Sequence, residues 1–239
     1  MIEPLKWDSE FFGRKMGVLT GSWLPGDVAR DVASARAGGY HYVLSRPPVE
    51  DAAAARALEA AGFYLTDVGV TWASDVAAYL QRVDRAASRA ARPATAADVP
   101  WLSRAGSTLF PTSRYYHDPF FTTADANRLH EAWLVNAVSG QAADAVFMIP
   151  ACGFVTVKIA HDGAGHIVLI GVVDGAQMKG SGRALMTAAL EWLASKGVVA
   201  VRVKTQVKNL RAMNFYHRLG FDLHSTDMTM GCILTGGAR

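Results

Sequence analysis

The chain has 239 residues, 51% hydrophobic and 19% charged, with a formal net charge of +3. This composition supports a sizeable folded core and excludes a disordered chain. Acidic and basic residues are intermixed without a basic run or arm, which argues against a nucleic-acid partner. Two cysteines, Cys152 and Cys232, cannot build a disulfide framework or a zinc cluster, and they read as small buried hydrophobes in a reducing compartment. Residues 1–8 lack the apolar core of a signal peptide. The longest apolar stretch, Ala145 to Ala160, is interrupted by Pro150, Gly153 and Lys158. The expectation is a soluble, cytoplasmic protein with no membrane partner. No His, Cys or carboxylate spacing suggests a metal.

Along the chain, Met16–Thr20 and Tyr40–Leu44 read as strands, with a helix at Asp27–Ala37 stopped by Gly38-Gly39. A second, Ala-rich helix at Asp51–Ala61 ends at Gly62. Phe63–Trp72 then reads as a strand with a bulge at Gly69. Residues 75–92 show little apolar periodicity, so a boundary is placed near residue 90: a small N-terminal α/β domain over 1–90 and a second domain over 91–239. The second opens on Thr95-x-x-Asp98, a capping box with Pro100 in the first turn. An aromatic-rich ordered loop (110–121) and a helix at Ala124–Ser139 follow. Strands are predicted at Ala145–Ile149, Gly153–Ala160 and His166–Val173, and after them helices and strands alternate.

The most informative segment is the strand Ile167–Val173 running into Asp174-Gly-Ala-Gln177-Met178-Lys179-Gly180-Ser181-Gly182-Arg183-Ala184. Leu185, Met186, Ala189, Leu190 and Leu193 give the helix after it one apolar face. A glycine turn opening a helix aims backbone N–H groups and the positive end of the helix dipole at one point, which suits an anion. Two common phosphate loops fail on spacing. A P-loop needs Lys-Ser or Lys-Thr after Gly175-x-x-x-x-Gly180, where Ser-Gly stands. A dinucleotide loop needs a small residue at 185, where Leu185 stands.

Gln177-x-x-Gly180-x-Gly182 instead resembles the pyrophosphate-binding loop of GNAT acetyltransferases. Downstream, Asn209-x-x-Ala212-x-x-Phe215-Tyr216-x-x-Leu219-Gly220-Phe221 resembles the second hallmark of the same superfamily. The resemblance implies an α/β acyl-CoA N-acyltransferase fold whose central parallel strands, here 166–173 and 198–204, splay at a bulge in the first of them. It implies acetyl-CoA as co-substrate, bound by Gly171, Val172 and Val173 on the opened edge, by residues 177–184, and by Asn209 and Ala212. Backbone N–H groups near Val172 and Val173 would stabilise the oxyanion, and Tyr216 takes the position of the general acid. Lys179 and Arg183 are candidates for the phosphates. Packing as a core tyrosine beside Phe215 is the alternative for Tyr216, and Asn209 can serve equally as a helix cap, the two roles being compatible. His161, His166, His217 and His224 give no candidate for the base, which stays open.

Leu5-Lys-Trp7-Asp8-Ser9-Glu-Phe11-Phe12-Gly13, Thr112-Ser113-Arg114-Tyr115-Tyr116 and Val203-Lys-Thr205-Gln206-x-x-Asn209 resemble the dTDP-fucosamine acetyltransferase family over nearly the whole chain. That resemblance implies a nucleotide-linked 4-amino-4,6-dideoxyhexose as acceptor, with Trp7, Arg114, Tyr115 and Tyr116 as candidate contacts. Arg114 can pair with a diphosphate or equally be a solvated loop arginine, and plain core packing accounts for at least two of Trp7, Phe11 and Phe12. It departs in Tyr115-Tyr116-His117-Asp118 and in Asp227-Met-Thr-Met-Gly-Cys232. Another amine as acceptor, or a non-catalytic acyl-CoA sensor, are the alternatives, and a homodimer is compatible with the sequence.

Overall fold

The computed structural model describes residues 1–176 and 180–234. The N-terminal elements are β1 (Ile2–Pro4), α1 (Lys6–Phe12), β2 (Met16–Leu19), α2 (Pro25–Ala37), β3 (Tyr42–Ser45), α3 (Ala52–Ala60), β4 (Tyr64–Asp75) and α4 (Val76–Arg82). Next come β5 (Arg92–Pro93), α5 (Val99–Leu109), α6 (Thr123–Val138), β6 (Ala145–Ile149), β7 (Gly153–Ile159) and β8 (Gly165–Val172). The chain closes with α7 (Ser181–Ser195), β9 (Ala200–Gln206), α8 (Leu210–Arg218) and β10 (Asp222–Ile233). All ten strands join in one mixed sheet, in the order β1-β2-β3-β10-β4-β9-β8-β7-β6-β5.

The helix boundaries follow local chemistry. Pro25 opens α2, which buries Val28, Val32 and Ala35 along one stripe. The Asp51 carboxylate accepts from Ala54 N (2.8 Å) and caps α3. Before α5, Asp98 accepts from Thr95 N (2.8 Å), so the expected capping box forms.

The last strand is the least local feature. β10 lies between β3 and β4 and pairs antiparallel with both. Met230 and Cys232 on β10 complete the core that α2 and α3 cover over β2 and β3. The sheet is therefore continuous across residue 90. The 75–92 segment also differs from the expectation. It holds α4, whose Val76 and Tyr79 are fully buried, and the Tyr79 hydroxyl lies 3.1 Å from Thr187 Oγ1 on α7. Gly69 is not a bulge. It pairs in register with Asp227 and Gln206, while the register shifts fall at Thr66 and His224. A side chain at 69 would collide with Lys204, which crosses the bare glycine to reach Asp227. Val199 precedes β9 and is exposed, whereas Val201 and Val203 are buried.

The other face of β3 carries Tyr42 and Leu44, which pack with Phe12, Tyr115, Phe120, Phe121 and Leu129. Asp118 anchors the 110–121 loop there. Its Oδ2 accepts from the Tyr42 hydroxyl (2.5 Å), and its Oδ1 accepts from the Tyr64 hydroxyl (2.8 Å) and Phe120 N (3.0 Å). Arg114 lies 3.5 Å from the same carboxylate, with side-chain exposures of 9% for Arg114 and 0% for Asp118. Removing one partner of such a pair leaves a buried charge uncompensated. Asp118→Ala is therefore expected to lower stability by about 3–5 kcal/mol in urea unfolding. A loss below about 1 kcal/mol would show that the network does not hold the loop.

Candidate cofactor and acceptor site

The site begins where two parallel strands part. β8 pairs with β9 only over Gly165–Ile167 and Val201–Val203. Opposite β7, Thr156 pairs with Leu169 and Val157 with Ile167, so Val168 is an extra residue on β8. This is the bulge implied for the first splaying strand. The N–H of Leu169 donates to the buried Thr156 Oγ1 (3.0 Å), which gives a disrupted ladder a replacement partner. Beyond the bulge, Gly171 runs on toward the glycine turn without a ladder to β9.

The turn places α7 against this opening. Gly180 has φ +87°, a left-handed conformation that suits glycine, and open space lies around it. Gly182, in contrast, is crowded. A Cβ there would sit 3.2 Å from the Phe215 ring and 3.8 Å from Val172 Cγ2. Gly182 thus lets the first turn of α7 approach α8 and β8, and three separated parts of the predicted cofactor site meet at this point. Ser181 and Ala184 lie in the same first turn, and Arg183 is exposed on it. Gln177, Met178 and Lys179 lie outside the described residues.

Val173 needs correction as an oxyanion donor. Its N–H donates to Cys152 O (2.8 Å) and its C=O accepts from Ala176 N (2.9 Å), so its amide is engaged within the turn. Asn209 caps α8, its side-chain oxygen accepting from Ala212 N (3.1 Å). Capping uses only that oxygen and leaves the carboxamide NH₂ for other contacts.

Tyr216 is buried on α8, its ring beside Phe215 and Phe221. Among the described residues its hydroxyl makes no hydrogen bond. Burial pushes the phenol above its ordinary value, so the group holds its proton throughout the neutral range. It can donate a proton and cannot serve as a base there.

On the acceptor side the predicted contacts separate. Arg114 is buried: Nη2 donates to the Tyr115 hydroxyl (2.9 Å), and the guanidinium lies 4.1 Å from the centre of that ring. With Asp118 as its ion partner, it is a structural cation and not a diphosphate clamp. Tyr115 is a core residue against Phe121 and Trp133. Tyr116 stacks on His130 (5.4 Å) and donates to Asn127 Oδ1 (2.8 Å), so both tyrosines support the loop from within. Trp7 is 41% exposed and stacks on Phe11 at 5.0 Å.

Sequence reasoning missed a polar sheet face. Residue pairing and the strand period put Asp67 on β4, Lys204 and Gln206 on β9, and Asp227 and Thr229 on β10 on one side. The 110–121 loop borders this face, with Thr112 Oγ1 3.4 Å from Gln206 Oε1. Lys204 Nζ lies 2.5 Å from Asp227 Oδ2, while Asp227 Oδ1 is buried with no hydrogen-bond partner among the described residues. Burial pushes the carboxyls of Asp8 and Asp67 up. The alternation of Arg202 and Lys204 with valines marked one strand of this face, but only the pairing of β10 with β4 shows its extent.

Residues 101–221 match the Acetyltransferase (GNAT) family model. Along 94% of its length the chain is 26% identical to the dTDP-fucosamine acetyltransferase of Escherichia coli O6:H1, covering 95% of that protein. It is also 33% identical to a mycothiol acetyltransferase of Pseudarthrobacter chlorophenolicus, over 48% of this chain and 37% of that one. Among solved structures it resembles a GCN5-related N-acetyltransferase from Kribbella flavida (TM-score 0.62, 14% identity, 94% and 83% of the two chains covered). A second, from Sphaerobacter thermophilus, gives a TM-score of 0.56 at 15% identity, covering 83% of this chain and 61% of that one. The chain belongs to the GNAT acetyltransferase family. It is an acetyl-CoA-dependent N-acetyltransferase with one open mixed sheet. No helix among the described residues is long and apolar enough to cross a membrane.

At the bulge the Thr156 hydroxyl on β7 accepts the Leu169 N–H of β8. Thr156→Val keeps the shape and removes the acceptor, so stability should fall by about 1–3 kcal/mol. An unchanged urea midpoint would show that the bulge needs no such support.

Proposed function

We propose that the protein transfers the acetyl group of acetyl-CoA to the 4-amino group of a dTDP-linked 4-amino-4,6-dideoxyhexose. One observation carries this reading. The likeness to the dTDP-fucosamine acetyltransferase runs through the N-terminal strands and helices as well as the family core, whereas the mycothiol acetyltransferase match covers under half of the chain. The acceptor lies on the polar face of β4, β9 and β10, beneath α1 and the 110–121 loop. Trp7, exposed on α1, offers a ring for the pyrimidine.

In this reading the pantetheine arm lies along β8 past Val168, and the pyrophosphate meets the N-terminal turn of α7, with Arg183 beside it. The neutral amine attacks the thioester carbonyl carbon, the C–S bond breaks, and Tyr216 protonates the departing thiolate. Tyr216→Phe keeps the ring packing and removes no hydrogen bond to a described residue. Stability should be unchanged while kcat falls by about 10²-fold. Equal kcat values, with chemistry rate-limiting, would make Tyr216 a packing residue.

The acceptor assignment is tested by a thiol-release assay on a panel of amines. kcat/KM should be at least about 10²-fold higher for a dTDP-4-amino-sugar than for the free amino sugar, because nucleotide contacts position the amine. Efficient turnover of a peptide N-terminus or a thiol-linked amino sugar, with none of any nucleotide sugar, would overturn it.

A further inference from the structure

The acceptor amine reaches a neutral site mostly as an ammonium ion, and the residues so far placed at the reaction offer nothing to remove its proton. Tyr216 keeps its own proton. Among the histidines, His130 is buried and its Nδ1 bonds Ala126 O (2.7 Å), and His217 lies beside Trp72 on the exposed side of α8. The base must be sought on the polar face.

Two carboxylates share that face next to the opening. Asp67 pairs with Thr229, and Asp227 pairs with Gly69 two positions along, so the two are diagonal neighbours on adjacent strands. Asp227 is committed, since its Oδ2 is held by Lys204 Nζ. Among the described residues Asp67 makes no ion pair. Its Oδ1 accepts from Val68 N (2.9 Å), and the charges facing it are Lys204 and Lys208 from β9 and its following turn and Arg114 from the loop. Its position along the sheet also fits. Val68 O accepts from Val207 N (2.8 Å), so Asp67 stands beside the end of β9. With Ile167 level with Val203, that end is also level with the open part of β8. Asp8, another half-buried carboxyl, lies on α1 and faces Arg114 and Arg46.

Building on the acetyl-transfer reading above, we infer that Asp67 is the group that takes the proton from the acceptor's ammonium. One proton passes from the ammonium to the Asp67 carboxylate, and the neutral nitrogen forms the N–C bond as the C–S bond breaks. The thiolate takes a proton from Tyr216, which the surplus proton of the new amide nitrogen replaces through water. Asp67 then releases its proton to solvent. The balance is ammonium plus thioester going to amide, thiol and one proton. Burial raises the Asp67 carboxyl above the ordinary carboxylate range, which brings it closer to the amine it must deprotonate. The base must be ionised, so the rate falls as pH drops through that raised value.

The test is the pH profile of kcat/KM for wild type, Asp67→Asn and Asp67→Glu, using whichever amine of the panel the wild type acetylates best. Asp67→Asn should lose about 10²-fold at neutral pH, and its rate should climb with pH along the amine's own titration. The acid limb present in wild type should be absent. Asp67→Glu should restore that limb and part of the rate. Acetyl-CoA affinity by calorimetry should be unchanged in both, which shows the variants folded. Asp67→Asn with wild-type kcat/KM, or with a lower rate but an unaltered acid limb, would overturn the inference. Turnover of an amine other than a nucleotide sugar would remove only the acceptor assignment and leave the role of Asp67 to be read from the same profiles. A wild type that acetylates no amine would remove both.

Discussion

Everything in this molecule turns on the place where β8 and β9 stop pairing. Two parallel strands in the middle of a sheet normally satisfy each other's backbone, and separating them leaves N–H and C=O groups without partners. Where they part, one extra residue, Val168, shifts β8 against its other neighbour β7, and the Thr156 hydroxyl on β7 accepts the Leu169 N–H at that bulge. A sheet interrupted there carries a short internal edge. Such an edge invites an extended ligand.

The two faces beside the interruption have opposite chemistry. On one, α7 and α8 pack over Val201, Val203, Val70 and Trp72, and the bare Gly182 brings the start of α7 against Phe215 and Val172. That face supplies the glycine turn, the capped start of α8 at Asn209, and Tyr216 with its retained proton. On the other, polar side chains of β4, β9 and β10 form a floor, and the loop tied down by Asp118 stands beside it. Cofactor and acceptor can thus approach from different sides and meet at the gap.

The readable parts of the sequence were those whose causes are local. A strand, a glycine turn and a helix with one apolar stripe lie within 30 residues of one another. The Asn209 to Phe221 run carries its own cap and packing pattern. Helix α4 was also legible in principle, because Val76, Tyr79, Leu80 and Val83 have helical spacing; the arginines around them hid it. Arg114 was misread for a different reason. Asp118 lies one turn away, but Tyr42 and Tyr64, which complete the network, are 72 and 50 positions distant in a chain read without pairing. The polar face was invisible on the same grounds, since Asp227 and Thr229 join Asp67 there only because β10 inserts between β3 and β4.

The central claim is that the opened edge of β8 and the first turn of α7 together receive acetyl-CoA. Amide hydrogen exchange with and without saturating acetyl-CoA tests it most directly, because the exchange of each amide reports its own local protection. The account predicts slower exchange over residues 168–172 and 180–184 on binding, with the Asp118-anchored loop unaffected. Unchanged exchange in both segments, with acetyl-CoA bound and protection appearing elsewhere, would contradict it.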